Sequence, residues 1–245
     1  MTIIDKTITK HIRDAIESHR IHPVLIDIGA SGTPPEMWRD IVRESIYIGF
    51  DPDLRELKKD ESNEFYKSII YNSAVIGDDV GKEVLVFLTR SPYCSSTLQP
   101  DYVSLENFLF FDLFTVEKTQ TVQASNLTDL LKSQNIPRID WFKTDSQGID
   151  LRLFQSLSSE IQSNVLTVDI EPGLIDAYIG EDLFVDAHKF LMGNGFWLSN
   201  LNVCGTSRIN KTTLPELAAA DNQLNTENLS RALKISPGWC EARYL

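Results

Sequence analysis

The sequence predicts an α/β protein: an open, mostly parallel sheet with helices on both faces. Short apolar runs rich in Ile and Val alternate with amphipathic stretches, and turn residues mark the junctions. With 245 residues, 42% of them hydrophobic and 9% aromatic, the chain can bury one substantial core. No repeat or low-complexity linker interrupts the pattern. A single domain over 1–245 is therefore expected, with an N-terminal helix in 1–21 and a peripheral or lid segment in 205–238.

Taken in order, Ile8, Ile12, Ala15 and Ile16 recur at helical spacing between Lys6 and Arg20. His22-Pro23 closes that helix, because proline disfavours helical geometry in the residue before it. VLIDIG (24–29) suits a central parallel strand buried on both faces. Pro34-Pro35 opens a helix through EMWRDIVRES, SIYIGFD (45–51) is the next strand, and 52–63 the next helix. Residues 66–76 read as a third strand, and 82–89 returns as an extended segment after the Gly77-Asp78-Asp79 turn. Between Ser91 and Gln120 the dense aromatics fit either a helix or a buried strand. Asn126 is placed to cap a helix over LTDLLKSQ. Strands at 139–144 and 165–170, helices at 149–159 and 182–192, an extended segment from Gly195 and a last strand at 241–245 complete the alternation. The stretch 206–237 has no clear period and reads as a lid, a peripheral helix or an oligomer contact.

Lys and Arg total 23 against 35 Asp and Glu, a formal charge of -12. That field repels polyphosphate, so nucleic acid is not an expected partner. Three cysteines at long spacings make neither a disulfide framework nor a zinc knuckle. Charges interrupt the N-terminal segment where a signal peptide needs an apolar stretch, and no later window suits a membrane span. A cytoplasmic location is expected.

The informative constellation begins at DIGASG, between an apolar strand and a helix. Ligands of open α/β sheets bind beyond the carboxyl ends of the strands, and Gly29 and Gly32 allow tight backbone turns there. An ordinary strand-to-helix turn would look the same. Asp51 follows the next strand, where a carboxylate can accept from both ribose hydroxyls of an adenosine cofactor; capping the following helix is the plainer alternative. A dinucleotide site normally carries G-x-G-x-x-G, because the backbone must approach a pyrophosphate, and G-A-S-G-T lacks that spacing. S-adenosyl-L-methionine carries a sulfonium instead of phosphate. Four acidic residues at predicted strand ends, Asp27, Asp51, Asp145 and Glu171, suit such a cation.

VLIDIGASG (24–32), YIGFDPD (47–53), YNSAVIG (71–77), CSSTL (94–98), ASNLTDLL (124–131), IDWFKTDSQGID (139–150) and VLTVDIE (165–171) occur in this order. With these motifs the chain resembles the FkbM-type methyltransferase family, a branch of the class I S-adenosyl-L-methionine-dependent methyltransferases. The resemblance spans roughly 22–175. It implies the Rossmann-like class I sheet, S-adenosyl-L-methionine as cofactor, and methyl transfer to a hydroxyl of a sugar, glycan or polar small metabolite. By the same resemblance Asp27, Gly29, Ala30, Ser31 and Gly32 belong to the first cofactor loop, Asp51 to the ribose position, and Asn72, Ser73 and Ala74 to the adenine side. Two departures stand out. Ser31 replaces the family's Asn, with Gly32 one residue early, and Gln147 replaces the carboxylate of the family's K-x-D-x-E-G. Glutamine can donate and accept hydrogen bonds but cannot act as a base.

Transfer to oxygen requires alignment, exclusion of water and removal of a hydroxyl proton. Asp145 is the candidate that orients or deprotonates the acceptor, and contact with the methionine amino group is its alternative. Lys143 either neutralises Asp145 or an acidic substrate, or is held in a buried pair. Glu171 faces the acceptor or caps a helix after Pro172-Gly173. Ser95, Ser96 and Thr97 line a pocket or simply form a polar turn. None of the four histidines is compelled into catalysis, Phe108, Phe110, Phe111 and Phe114 suit packing, and no close ligand set implies a metal. The competing readings are a nicotinamide-dependent oxidoreductase and an inactive interaction protein of the same fold. Titration with S-adenosyl-L-methionine and with NAD separates them.

Overall fold

A computed structural model of the chain describes residues 3–30, 35–53, 55, 65–71, 73–75, 82–220, 225–226, 228–229 and 233–245. In chain order the elements are α1 (Ile3–Ser18), β1 (Val24–Ile28), β2 (Ile46–Phe50), β3 (Lys67–Tyr71), β4 (Ala74–Val75), β5 (Glu83–Thr89), α2 (Tyr102–Leu105) and β6 (Val116–Ser125). They continue with α3 (Leu127–Ser133), β7 (Trp141–Thr144), α4 (Asp150–Gln155), α5 (Ser159–Gln162), β8 (Thr167–Ile170), α6 (Phe184–Gly193), β9 (Leu198–Thr206), α7 (Thr213–Ala220) and β10 (Ser236–Tyr244). The result is a mixed α/β fold with a multi-stranded sheet. It divides into two compact units, each drawn from separate chain segments: Met1–Lys82, Gln123–Asp145 and Leu153–Asp169 form one, and Glu83–Val122, Ser146–Arg152 and Ile170–Leu245 the other.

In the first unit the strands lie in the order β3-β2-β1-β7-β8. β1 pairs in parallel with β2 and β7, and β2 with β3. Every residue of β1 is buried, as an apolar run covered on both faces requires. Ile26, Ile48 and Phe142 share one face by register and are fully buried, with Phe154 edge-on to Phe142 at 5.4 Å. On the other face Leu25, Trp38, Tyr47 and Phe65 form a cluster, joined by Ile41, Val42, Ile70 and Trp141.

That cluster explains a difference from expectation. The helix expected after Pro34-Pro35 is instead two 3-10 turns, Glu36–Trp38 and Val42–Glu44. Trp38 donates to the Pro35 carbonyl and Ile41 to that of Trp38, three residues back in each case. The short turns bring Trp38, Ile41 and Val42 onto the sheet. The segment 66–76, expected as a strand running into a loop, divides into two strands. β3 ends at Tyr71, and β4 pairs with β6 through Ala74↔Ala124 and Val75↔Ser125. Most of the helix expected over 52–63 lies outside the described residues. The helix expected over 149–159 shortens to Asp150–Gln155, with α5 beginning after a Ser158 cap. Asn126 caps α3 as expected, accepting from the Asp129 amide at 3.1 Å.

In the second unit β9 and β10 run antiparallel from Leu198↔Tyr244 to Thr206↔Ser236. β10 begins well before the expected 241, despite Pro237, because a register shift between Pro237 and Trp239 absorbs the missing donor. Cys240, Ala242 and Tyr244 alternate inward, and Ala187 and Leu191 of α6 are buried four residues apart. The aromatic stretch left open by the sequence contains α2 and a 3-10 turn, Leu109–Phe114. Its rings pack on one another: Phe108 stacks on Phe110 at 5.4 Å, and Tyr102 meets Phe111 edge-on at 5.5 Å. α7 occupies part of the unassigned 206–237 stretch. No helix among the described residues is long and apolar enough to cross a membrane.

Candidate functional site

Parallel pairing brings the carboxyl ends of β1, β2 and β7 to one edge, which carries Asp27, Asp51 and Asp145. Asp27 is 3% exposed and fully engaged. Lys143, its cross-strand neighbour in register, reaches its Oδ1 at 2.9 Å, and the Tyr47 hydroxyl donates to its Oδ2 at 3.0 Å. Of the sequence alternatives for Lys143, the geometry supplies the buried pair, made with Asp27. Gly49 makes room for it: a Cβ there would stand 2.9 Å from the Tyr47 hydroxyl and 3.1 Å from the Ala30 Cβ.

Asp51 is 6% exposed and accepts the Asp53 amide at 2.7 Å, an Asx-type turn. Burial pushes its carboxyl up from 3.8 to about 6; the Asp53 amide opposes this, while the charges of Asp53, Asp145 and Asp27 add to it. Asp53 itself is held by Arg55 at 2.6 Å. Asp51 thus senses the Asp27, Asp53 and Asp145 charges at one strand edge, and Lys143 is paired to Asp27.

Gly29 has φ +80, and a Cβ on it would fall 2.1 Å from the Asp145 carbonyl oxygen. The Asp145 amide donates to the Ile28 carbonyl at 2.9 Å. Gly29 is therefore required by the end of β7, which the sequence had not indicated. The Gly29 and Ala30 amides both donate to the Phe50 carbonyl, at 2.9 and 3.0 Å. A pyrophosphate cradle needs such loop amides directed at the ligand; these two are turned to β2. Ser31, Gly32 and Asn72 lie outside the described residues. Ser73 and Ala74 are buried just past β3, with Ser73 Oγ 2.9 Å from Ser125 Oγ. The Asp51 amide donates to the Tyr71 carbonyl at 3.1 Å, so the end of β3 adjoins Asp51.

In the second unit the Ser146–Ile149 turn follows Asp145 in the chain. Gln147 (φ 55) and Gly148 (φ 112) both occupy left-handed backbone conformations. Ser96 Oγ donates to the Gln147 carbonyl at 2.7 Å, and the Asp182 amide donates to that of Gly148 at 2.8 Å. Tyr178, 4% exposed, places its hydroxyl 3.1 Å from Gln147 Oε1 and 2.9 Å from the Cys94 carbonyl. Ser95 Oγ accepts from the Thr89 amide at 3.2 Å.

Glu171 is half-buried. No helix follows Pro172-Gly173 until Phe184, so the capping alternative is removed. Burial first, then the charges of Glu241 and Glu171, raises the Cys204 thiol. Burial, Cys204 and Glu171 raise that of Cys240 to about 11. The β9–β10 cysteines thus sense the Glu171 charge. Of the histidines, His22 contacts the Glu44 carbonyl at 2.8 Å and His188 the Tyr244 hydroxyl at 3.0 Å. Among the described residues no group of three or more His, Cys, Asp or Glu is arranged to hold a metal ion.

Two further residues emerge that the sequence reading had not singled out, Tyr178 and Glu181. Burial pushes Glu181 up from 4.5 to about 7, against the lowering effect of the Ala177 and Tyr178 amides and with the help of the Asp176 and Asp150 charges.

An acidic edge beyond parallel strands, with a glycine turn at its centre, is consistent with an α/β enzyme fold. Residues 29–207 match the family model of the Methyltransferase FkbM domain, most of the chain. The protein belongs to the FkbM methyltransferase family. It is an S-adenosyl-L-methionine-dependent methyltransferase, of a family that methylates hydroxyls of glycans and metabolites. No match was found among curated proteins. A solved structure described as "Structure of an antibiotic related Methyltransferase" is similar at 12% identity and a TM-score of 0.31, over 97% of this chain and 94% of its own.

Proposed function

We propose that the acidic edge of β1, β2 and β7 holds S-adenosyl-L-methionine, within a class I, Rossmann-like methyltransferase sheet flanked by helices on both faces. The observation that carries this reading is the joint placement of Asp27, Asp51 and Asp145. The donor set fits the cofactor: a carboxylate suits a ribose diol, and clustered carboxylates suit a sulfonium and an ammonium. When bound, the cofactor supplies a methyl group on positive sulfur, with a neutral thioether as leaving group.

The chain's own residues then have distinct work. Asp51 accepts hydrogen bonds from the ribose hydroxyls, Ser73 and Ala74 border the adenine, and Gly29 and Ala30 shape the loop. Ser31 and Gly32 are assigned to the cofactor loop and Asn72 to the adenine side by the family motifs. Asp27, fixed by Lys143 and Tyr47, contributes negative field from a position it cannot leave. Lys143 acts through that pair. Asp145 orients the acceptor hydroxyl and takes its proton. Glu171 is the second acidic group offered to the acceptor, a small molecule or carbohydrate. A cytoplasmic location agrees with three cysteines at long spacings, and the 206–237 stretch is where a homo-oligomer contact would be sought.

A screen of sugar and polyol hydroxyls with methyl-labelled cofactor identifies the acceptor, after which Asp145→Asn decides the role. Turnover should fall about 10²–10⁴-fold with little change in cofactor affinity. A raised cofactor dissociation constant, with turnover restored by excess cofactor, would assign Asp145 to the methionine amino group instead.

A further inference from the structure

The loop between β8 and α6 closes on the side chain of Glu181. Its Oε1 accepts from the Ala177 amide, and the Tyr178 amide also bonds to the carboxylate. Two glycines leave space for it. A Cβ at Gly148 would stand 3.0 Å from the Glu181 Cβ, and one at Gly173 would stand 3.0 Å from its Oε2. The loop it closes is also tied outward, Ile179 donating to the Gln99 carbonyl and Asp101 to that of Ala177, both at 2.9 Å. Tyr178 projects from this loop to Gln147 Oε1 and the Cys94 carbonyl. Gln147 holds a left-handed conformation, which for a non-glycine residue persists only where its surroundings impose it.

We propose that Glu181 is a positioning residue for methyl transfer: its carboxyl group clips the 173–183 loop, so that Tyr178 holds the Gln147–Gly148 turn that follows Asp145. The proposal rests on the reading that Asp145, which precedes this turn in the chain, serves the acceptor. It carries a pH dependence, because Glu181 titrates at about 7. Burial outweighs the amide hydrogen bonds and holds the carboxyl at about 7 in the closed loop against 4.5 in the open one, so by linkage the clip is tight below pH 7 and loosens as pH rises through it. The charged groups facing Glu181 are Asp176 of its own loop and Asp150 of α4, both of which raise it. Next along the chain, Asp182 is held by Arg152 at 2.8 Å.

The test is amide hydrogen exchange on the full chain between pH 6 and 8.5, expressed as protection factors to remove the intrinsic pH dependence. The native protein, Glu181→Gln and Glu181→Ala are compared, with S-adenosylhomocysteine titrated into each. In the native protein, protection at Ala177, Ile149 and Asp182 should fall about tenfold from pH 6 to pH 8, while the β1 amides stay constant. In Glu181→Gln that step should vanish, since glutamine accepts without titrating. In Glu181→Ala the three amides should be weakly protected throughout. A flat native profile, or a step that persists in Glu181→Gln, overturns the proposal. Should Glu181→Ala fail to fold, the native and glutamine profiles decide alone. Failure of the native protein to bind S-adenosylhomocysteine would count against the cofactor reading and leave the exchange result to be judged by itself.

Discussion

At Asp51 the proposed ribose contact and the stability of the fold oppose one another. Its carboxyl is raised to about 6, chiefly by burial. A raised value in the folded state means stability that is present below about pH 3.8 and lost as pH rises through 6. Asp51→Asn should therefore stabilise the apoprotein at pH 8, by about 1–3 kcal/mol, while weakening cofactor binding. Urea unfolding at pH 5 and 8 checks this, and an equal effect at both would contradict it. Lys143 presents the reverse case. Lys143→Met leaves Asp27 buried beside Tyr47 without its cation, and should cost about 2–4 kcal/mol. Asp51 was legible because an acidic residue follows an apolar run. The Asp27–Lys143 pair was not, because its partners are 116 residues apart and their register is set only when β1 and β7 pair.

Among the elements, β1 and β7 depend on one another at a single point. Gly29 at φ +80, with the Asp145 carbonyl where its Cβ would be, leaves no room for any side chain. Gly29→Ala should cost more than about 3 kcal/mol, combining left-handed strain with displacement of β7. It should lower cofactor affinity even in molecules that remain folded. Native-like stability in that variant would refute the contact. Periodicity revealed β1, β2, β7 and α3 because each is a buried run or a capped amphipathic stretch. It failed for 36–44, where three apolar residues reach the sheet from 3-10 turns, and for β10, where Pro237 disguises a strand behind a bulge. Glu181 was invisible for a different reason: a loop carboxylate acquires meaning only from Ala177, Gly148 and Gly173, which the fold gathers around it.

For the whole molecule, Asp51 and Glu181 act in the same direction. Both are raised, so both withdraw stability as pH climbs from about 4 to 7. A net charge of -12 adds repulsion over the same range. The midpoint of thermal unfolding should be higher at pH 5.5 than at pH 8, and added salt should narrow the gap by screening the long-range part. Methyl transfer, for its part, should survive EDTA and dialysis; loss of activity restored by magnesium or manganese would make the strand-end carboxylates candidate ligands.

The proposed role of the Asp27, Asp51 and Asp145 edge is to bind S-adenosyl-L-methionine. Isothermal titration of the native protein and of folded Asp51→Ala, with S-adenosyl-L-methionine, S-adenosylhomocysteine and NAD, tests it most directly. Both adenosyl ligands should bind the native protein and NAD should not. Asp51→Ala should lose about 2–4 kcal/mol of affinity, the equivalent of one or two charge-assisted hydrogen bonds. Unchanged affinity in the variant, or preferential binding of NAD, would contradict the account.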